Sequence, residues 1–232
     1  MNINIFSIFP SLFHPFLEVG IVRRAKEKGI VSFNIINIRD FASDSYGTVD
    51  DYPYGGGPGM IMKVEPIVRA LESVEEKKRG IVYLLSPRGE KFNQQMARNL
   101  AEKEALSLVC GRYKGVDERV RDFVDGEISI GDYILSGGEV AAMVIVEAIV
   151  RLLPGVVGNI ESVNTDSFEK NILDAPYYTR PQDFRGKKVP DVLLSGDHKR
   201  IAKWREEEAI RLTKKYRMDI MSKTSLKGDK SG

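Results

Sequence analysis

Apolar and polar positions change their spacing repeatedly over the first 150 residues of this 232-residue chain. Residues 2–9 alternate as a strand, and Pro10-Ser11 can cap a helix running through residue 28. Residues 31–38 predict a second strand. After a long polar, glycine-rich stretch over residues 42–60, a helix is expected near residues 63–76. Short apolar runs then follow at 81–85, 106–110 and 127–130, separated by helical patterns at 93–103 and 116–123. This rhythm predicts an α/β domain on a mostly parallel sheet, with its ligand site outside the carboxyl ends of the strands.

A helix over residues 140–153 is apolar nearly all round, more than a surface helix needs, which suggests a second subunit against it. Pro154-Gly155 ends it. The polar run 159–171 reads as an interdomain linker, and beyond it residues 198–216 predict an amphipathic helix, with the last dozen residues frayed. The expected organisation is a domain over 1–160, a linker over 161–171 and a small, mainly helical domain over 172–232.

Composition narrows the function. Net charge is only +2, but residues 180–232 hold fifteen Lys or Arg against eight Asp or Glu, leaving twenty against twenty-five before them. A basic C-terminal part fits a polyanion partner, and a solvated helical face equally well. The single Cys110 excludes an internal disulfide and suits a reducing compartment. No signal-peptide pattern opens the chain, and the apolar helix is too short to span a bilayer, so a cytoplasmic location without membrane attachment is expected. With only His14 and His198 present, neither a metal cluster nor a Ser-His-Asp triad can be assembled. Neither G-x-G-x-x-G nor G-x-x-x-x-G-K-[ST] occurs, so the Rossmann and P-loop phosphate cradles are unsupported.

Three strand ends instead carry similar punctuation: Ser86-Pro87-Arg88-Gly89, Gly111-Arg112-Tyr113-Lys114-Gly115, and Gly131-Asp132-Tyr133 running on to Gly137-Gly138. One such turn is a tight connection; three on one edge would make a backbone-lined pocket. The run Asp50-Asp51-Tyr52-Pro53-Tyr54-Gly55-Gly56-Gly57-Pro58-Gly59-Met60 reads as a lid, a substrate wall or merely a long turn. Asp50 and Asp51 are weak grounds for Mg²⁺ without further oxygen ligands, so that ion stays an open alternative with no assigned site. On the C-terminal helix, His198 is expected as a cap or RNA contact, Lys199, Lys203 and Arg205 as phosphate contacts, and Trp204 as packing.

Taken in order, Tyr54-Gly55-Gly56-Gly57-Pro58-Gly59-Met60, Cys110-Gly111-Arg112-Tyr113, Asp117-Glu118-Arg119, Ile130-Gly131-Asp132-Tyr133, Ser136-Gly137-Gly138-Glu139, Asp166-Ser167-Phe168 and Tyr178-Thr179-Arg180-Pro181 resemble the bacterial tRNA (guanine-37, N1) methyltransferases. The resemblance implies a SPOUT-type fold with a deep trefoil knot, a homodimer with composite active sites, and S-adenosylmethionine held by the knot loops. General topology rules argue against a knot, so only the resemblance suggests one. It implies cofactor contacts at Leu85, Ser86 and Pro87, at Gly111 and Tyr113, and at Ile130, Gly131, Asp132, Tyr133, Ile134 and Leu135. Asp50, Pro58 and Gly59 are expected on the substrate side.

Methylating guanine N1 requires removal of its proton, for which a carboxylate is the natural base. The resemblance gives Asp166 this role and pairs it with Arg151, a cation near the end of the apolar helix. Lys114 departs from the glutamate of many family members, and Tyr52 stands where a basic residue is common. Two alternatives stay open: a methyltransferase of this fold for another RNA base, and a catalytically silent RNA-binding protein.

Overall fold

The computed structural model describes residues 1–158 and 166–225, with side chains to residue 221. The chain divides into two compact units, Met1–Gly158 and Asn159–Gly232. In the first, strands β1 (Asn2–Ser7), β2 (Ser32–Asn37), β5 (Ile81–Lys91), β6 (Ala105–Cys110) and β7 (Gly126–Ser129) form one sheet in the order β2-β1-β6-β5-β7. Every pairing in it is parallel. The short strands β3 (Asp50–Asp51) and β4 (Ile61–Met62) form a separate antiparallel pair.

Parallel strands need crossovers, and helices on both faces then bury both sides of the sheet. Ile3, Ile5, Leu106, Leu108 and Cys110 share one apolar cluster with helices α2 (Gly20–Glu27) and α6 (Glu139–Val150). Phe6, Val82, Leu84 and Val109 face the other cluster with α3 (Val64–Glu72). Two buried polar side chains on neighbouring strands are paired: Asn4 Nδ2 donates to Lys78 O at 3.0 Å and to Ser107 Oγ at 3.2 Å, and Ser107 Oγ donates to Arg79 O at 2.7 Å.

Several elements are shorter than the spacing predicts. The expected helix over 10–28 is split into a 3-10 turn at Pro10–Leu12 and helices Phe13–Leu17 and Gly20–Glu27, because Val19 is extended and Gly20 takes a positive φ of 60°. The helix near 63–76 stops at Glu72 and restarts as Glu76–Arg79. The pattern over 116–123 forms a 3-10 helix, Glu118–Phe123, capped by the Asp117 side chain. Helix α6 runs Glu139–Val150, and although its inner face is buried, Val140 and Val144 stay 55% and 45% exposed. Among the described residues no helix is long and apolar enough to cross a membrane.

Strand β5 is longer than the apolar run 81–85 and pairs with β7 twice. Leu85 and Glu90 are both register partners of Ile128, and Phe92 N donates to Ser129 O at 2.8 Å. Between these two partners residues 86–89 interrupt the pairing, and Gly89 crosses close against the β7 backbone at Ile128.

In the second unit, helices Asp191–Leu194, His198–Tyr216 and Met218–Ser225 accompany a two-stranded hairpin, Asp183–Phe184 with Lys187–Lys188. The small unit is therefore not helical throughout. The segment 221–225, expected to fray, belongs to a helix. Most of the expected linker, residues 159–165, and the tail 226–232 lie outside the described residues.

Gly89 sits where the crossing touches β7: an added Cβ would collide with Ile128 N and the Glu127 carbonyl carbon, neither of which can swing aside. Gly89→Ala should cost about 3 kcal/mol. Gly158→Ala, whose Cβ meets nothing within 4 Å, should stay within about 0.5 kcal/mol of the parent. Denaturant midpoints compare the two, and equal stability would remove the tight crossing.

Candidate active site

The turn at residues 86–89 that interrupts β5 and the turns that leave β6 and β7 lie together and enclose a cavity of about 470 Å³. Leu85, Ser86 and Pro87 line it from the first turn, and Gly111 and Tyr113 from the second. Ile130, Gly131, Tyr133, Ile134 and Leu135 line it from the third. Asp132 is not among the lining residues; its carboxylate takes a hydrogen bond from Lys91 Nζ at 2.7 Å on the surface.

A buried carboxylate fixes the second turn to the end of β1 and to α6. Glu139, the first residue of α6, is only 1% exposed; its Oε1 accepts from Ser7 Oγ at 2.8 Å and its Oε2 from Arg112 Nε at 3.1 Å. The Arg112 guanidinium also lies over the Phe9 ring, 4.5 Å from its centroid. Gly137 leaves space for this pair, since a Cβ there would collide with Arg112 Nε and Glu139 Oε2. Gly138 N donates to Gly111 O at 2.9 Å, tying the third turn to the second.

In the sequence Glu139 stands out only as the end of the Ser136-Gly137-Gly138-Glu139 motif, and Arg112 only as part of Cys110-Gly111-Arg112-Tyr113. The available signal was a carboxylate inside an otherwise apolar run with a glycine pair before it. Cys110 lies in the same buried place: desolvation, reinforced by the Glu139 charge, pushes its thiol well up. It packs as a core residue and is not a nucleophile.

Further charges surround the cavity. Arg88 Nη2 donates to Glu118 Oε2 at 2.7 Å, and Arg121 Nη2 stands 2.7 Å from Glu127 Oε1; Arg88, Glu118 and Arg121 all reach the lining. Lys114, the family departure, lines the cavity as well. The Arg119 side chain donates to Asp117 and holds that carboxyl below its usual range, which stiffens the same turn.

The glycine-rich run belongs to the hairpin β3–β4, whose end is sewn to the second turn. Lys114 N donates to Met60 O at 3.0 Å, Met62 N to Gly115 O at 3.0 Å and Asp117 N to Met62 O at 2.9 Å. Asp50 pairs with Met62 in this hairpin; Gly59 lies against the Lys114 side chain, and Pro58 is exposed beside it. These three therefore stand next to the cavity wall without lining it.

Arg151 closes α6 in the first unit and is half-buried. Asp166 belongs to the second unit, in a turn where Glu169 N donates to Asp166 O at 3.3 Å and Phe168 has a positive φ of 77°. Close in sequence, Asp174 N donates to Ser167 Oγ at 3.0 Å, and Tyr177 OH donates to Asp174 Oδ2 at 2.7 Å. That hydrogen bond, with burial and the Asp174 charge, raises the Tyr177 phenol, and the Asp166 charge adds to the shift. Asp174 was not anticipated.

On helix His198–Tyr216 the cap is Asp197, which accepts from Lys199 N and Arg200 N at 3.1 Å each; His198 is the first helical residue and does not cap. Lys199 is exposed, Lys203 Nζ lies 3.8 Å from Glu207, and Arg205 covers the Tyr177 ring at 5.8 Å. Among the described residues no three His, Cys, Asp or Glu side chains gather as a metal site.

The sequence pattern of the family described as tRNA (guanine-1)-methyltransferase TrmD matches residues 1–223. The chain belongs to this family. Among similar proteins named tRNA (guanine-N(1)-)-methyltransferase, that of Dictyoglomus turgidum is 52% identical over 226 residues, 97% of this chain and 92% of the relative. The Sulfurihydrogenibium sp. protein is 53% identical over 97% of this chain and 89% of its own length, and that of Carboxydothermus hydrogenoformans 52% over 95% and 87%.

In this tRNA (guanine-1)-methyltransferase family member the Glu139 contacts make a measurable network. Glu139→Ala leaves Arg112 without its carboxylate and should destabilise the fold by about 3 kcal/mol. Glu139→Ala combined with Arg112→Met should cost clearly less than the sum of the two single changes. Additive losses in chemical denaturation would show that the pair is not coupled.

Proposed function

We propose that this chain transfers the methyl group of S-adenosylmethionine to N1 of the guanine at position 37 of tRNA, beside the anticodon. The observation that carries the reading is the cavity walled by the turn within β5 and the turns after β6 and β7, in a chain of this family. Its volume of about 470 Å³ falls in the range of small-molecule sites. Leu85, Ile130 and Leu135 supply apolar walls, while Arg88, Lys114 and Glu118 supply charges of both signs, a mixture that fits an adenosine joined to a zwitterionic amino acid. When bound, S-adenosylmethionine supplies an electrophilic methyl group on a sulfonium sulfur.

The chain's own residues do the rest. Main-chain groups of the three turns orient the donor, the second turn being held to α6 by the Arg112–Glu139 pair. Asp166 takes the N1 proton as general base. Arg151 neutralises the negative charge that builds on O6 as the proton leaves. Asp50, Pro58 and Gly59, on the hairpin tied to the second turn, border the guanine. Residues of the second unit, with His198, Lys199, Lys203 and Arg205, bind the tRNA; the excess of basic residues over acidic ones there supports this.

The active unit in this reading is a homodimer, with the cavity from one subunit and Asp166 from the other. The exposed Val140 and Val144 on α6 give such an interface an apolar centre. The passage of residues 86–89 across β7 supports a knotted SPOUT fold. A cytoplasmic site of action follows from the substrate.

Wild-type protein should methylate a tRNA transcript with guanine at position 37 and leave one with adenine there unmodified, as read by mass mapping of the product. Asp166→Ala should lower the transfer rate by roughly 10²–10⁴ while cofactor binding in calorimetry stays within about twofold of wild type. Wild-type turnover in that variant removes Asp166 from its role. Sedimentation should give a dimer at working concentration, and a monomer with full activity would overturn the composite site.

A further inference from the structure

The second unit holds a cleft of its own, of about 350 Å³, between the segment 176–182 and the helices Asp191–Leu194 and His198–Tyr216. Its lining includes Tyr177, Tyr178, Leu193 and Ile201 together with Arg180 and Arg205. Tyr177 and Tyr178 remain 67% and 49% exposed. Large aromatic rings turned outward in a concave place present flat apolar surface to a ligand rather than to a core.

Both rings are held in place. Tyr177 is fixed at its hydroxyl by Asp174 at 2.7 Å and backed by the Arg205 guanidinium. Tyr178 leans on Trp204, with ring centroids 6.4 Å apart and planes inclined at 53°. A pre-set ring loses little freedom when something stacks on it.

The cations at the cleft are available as well. Among the described residues neither Arg180 nor Arg205 has a carboxylate within salt-bridge distance, whereas the helix acids Glu207 and Glu208 face Lys203 and Arg211. Gln182 and Val189, which also line the cleft, are joined by a hydrogen bond of 2.9 Å at the base of the hairpin that presents Arg185, Lys187 and Lys188 to solvent. An apolar, aromatic body with a cationic rim matches one kind of ligand closely: a flat ring on an anionic tether.

We propose that this cleft is a stacking subsite for one unpaired base of the tRNA anticodon loop other than the base that is methylated, with Arg180 on the adjoining phosphate. The inference rests on tRNA being the substrate and adds a second point of base capture, in the small unit. A duplex offers no free ring face, so the subsite selects a looped strand.

The test uses full-length protein and tRNA transcripts carrying 2-aminopurine at each unpaired anticodon-loop position in turn, position 37 excepted. One position should change fluorescence on binding wild-type protein and lose that response with Tyr177→Ala and Tyr178→Ala. In methyl transfer the same variants should raise KM for tRNA roughly tenfold with kcat within about twofold. Tyr177→Phe, which keeps the ring, should restore the response. Arg180→Ala should lower the slope of log affinity against log salt by about 0.7, and the tyrosine variants should leave that slope unchanged. Thermal melting shows whether each variant is folded. Normal methyl transfer with no tyrosine-dependent position overturns the subsite alone. A position-specific response in a wild-type protein that transfers no methyl group overturns the reaction and keeps the subsite.

Discussion

Ile128 has two register partners from the same stretch of chain, Leu85 and Glu90, with residues 86–89 looped out between them. Much else in the first unit depends on this. The crossing at residues 86–89 has to clear the β7 backbone, which Gly89 permits, and in doing so it leaves Ser86, Pro87 and Arg88 on the cavity wall. Fold and site are thus made by the same few residues.

The second organising contact is the Glu139 carboxylate. A buried anion is tolerated only when its charge and lone pairs are met, and here Ser7 comes from the end of β1, Arg112 from the turn after β6 and Glu139 itself from α6. Three elements distant in sequence are thereby fixed at one point below the cavity. A hydrophobic cluster of the same volume could bind them as firmly, but it would not specify the direction of the Arg112 side chain or the spacing of the turns.

The sheet was legible from the chain because parallel strands buried on both faces give apolar runs, as in residues 81–85 and 106–110, and the turns after them announce themselves through glycine. Helix limits were less so: a continuous apolar period at 10–28 concealed the extended Val19, which no propensity marks. The grouping of the three turns came from their shared punctuation. The fate of Asp132 did not, since a side chain that meets Lys91 across the surface leaves no local trace in sequence. Glu139, Arg112 and Asp174 were overlooked for the same reason: their partners lie at separations that only a folded chain closes, apart from Tyr177, whose bond to Asp174 spans three residues but looks like an ordinary loop contact. A knot and a base role for Asp166 were suggested by resemblance alone, whereas a second subunit was suggested also by the all-round apolar pattern of residues 140–153.

The crossing at β7 also bears on how the molecule is completed. Residues 86–92 leave the ribosome before residues 126–129, so β7 must find its place beside a bend already synthesised, and the cavity wall is whole only when it has done so. A small molecule held by the three turns therefore binds the finished chain and not its precursors. By mass action its presence draws the population toward the completed arrangement. A chain that has not placed β7 lacks part of the cavity wall, so a ligand of the three turns would stabilise only the completed arrangement.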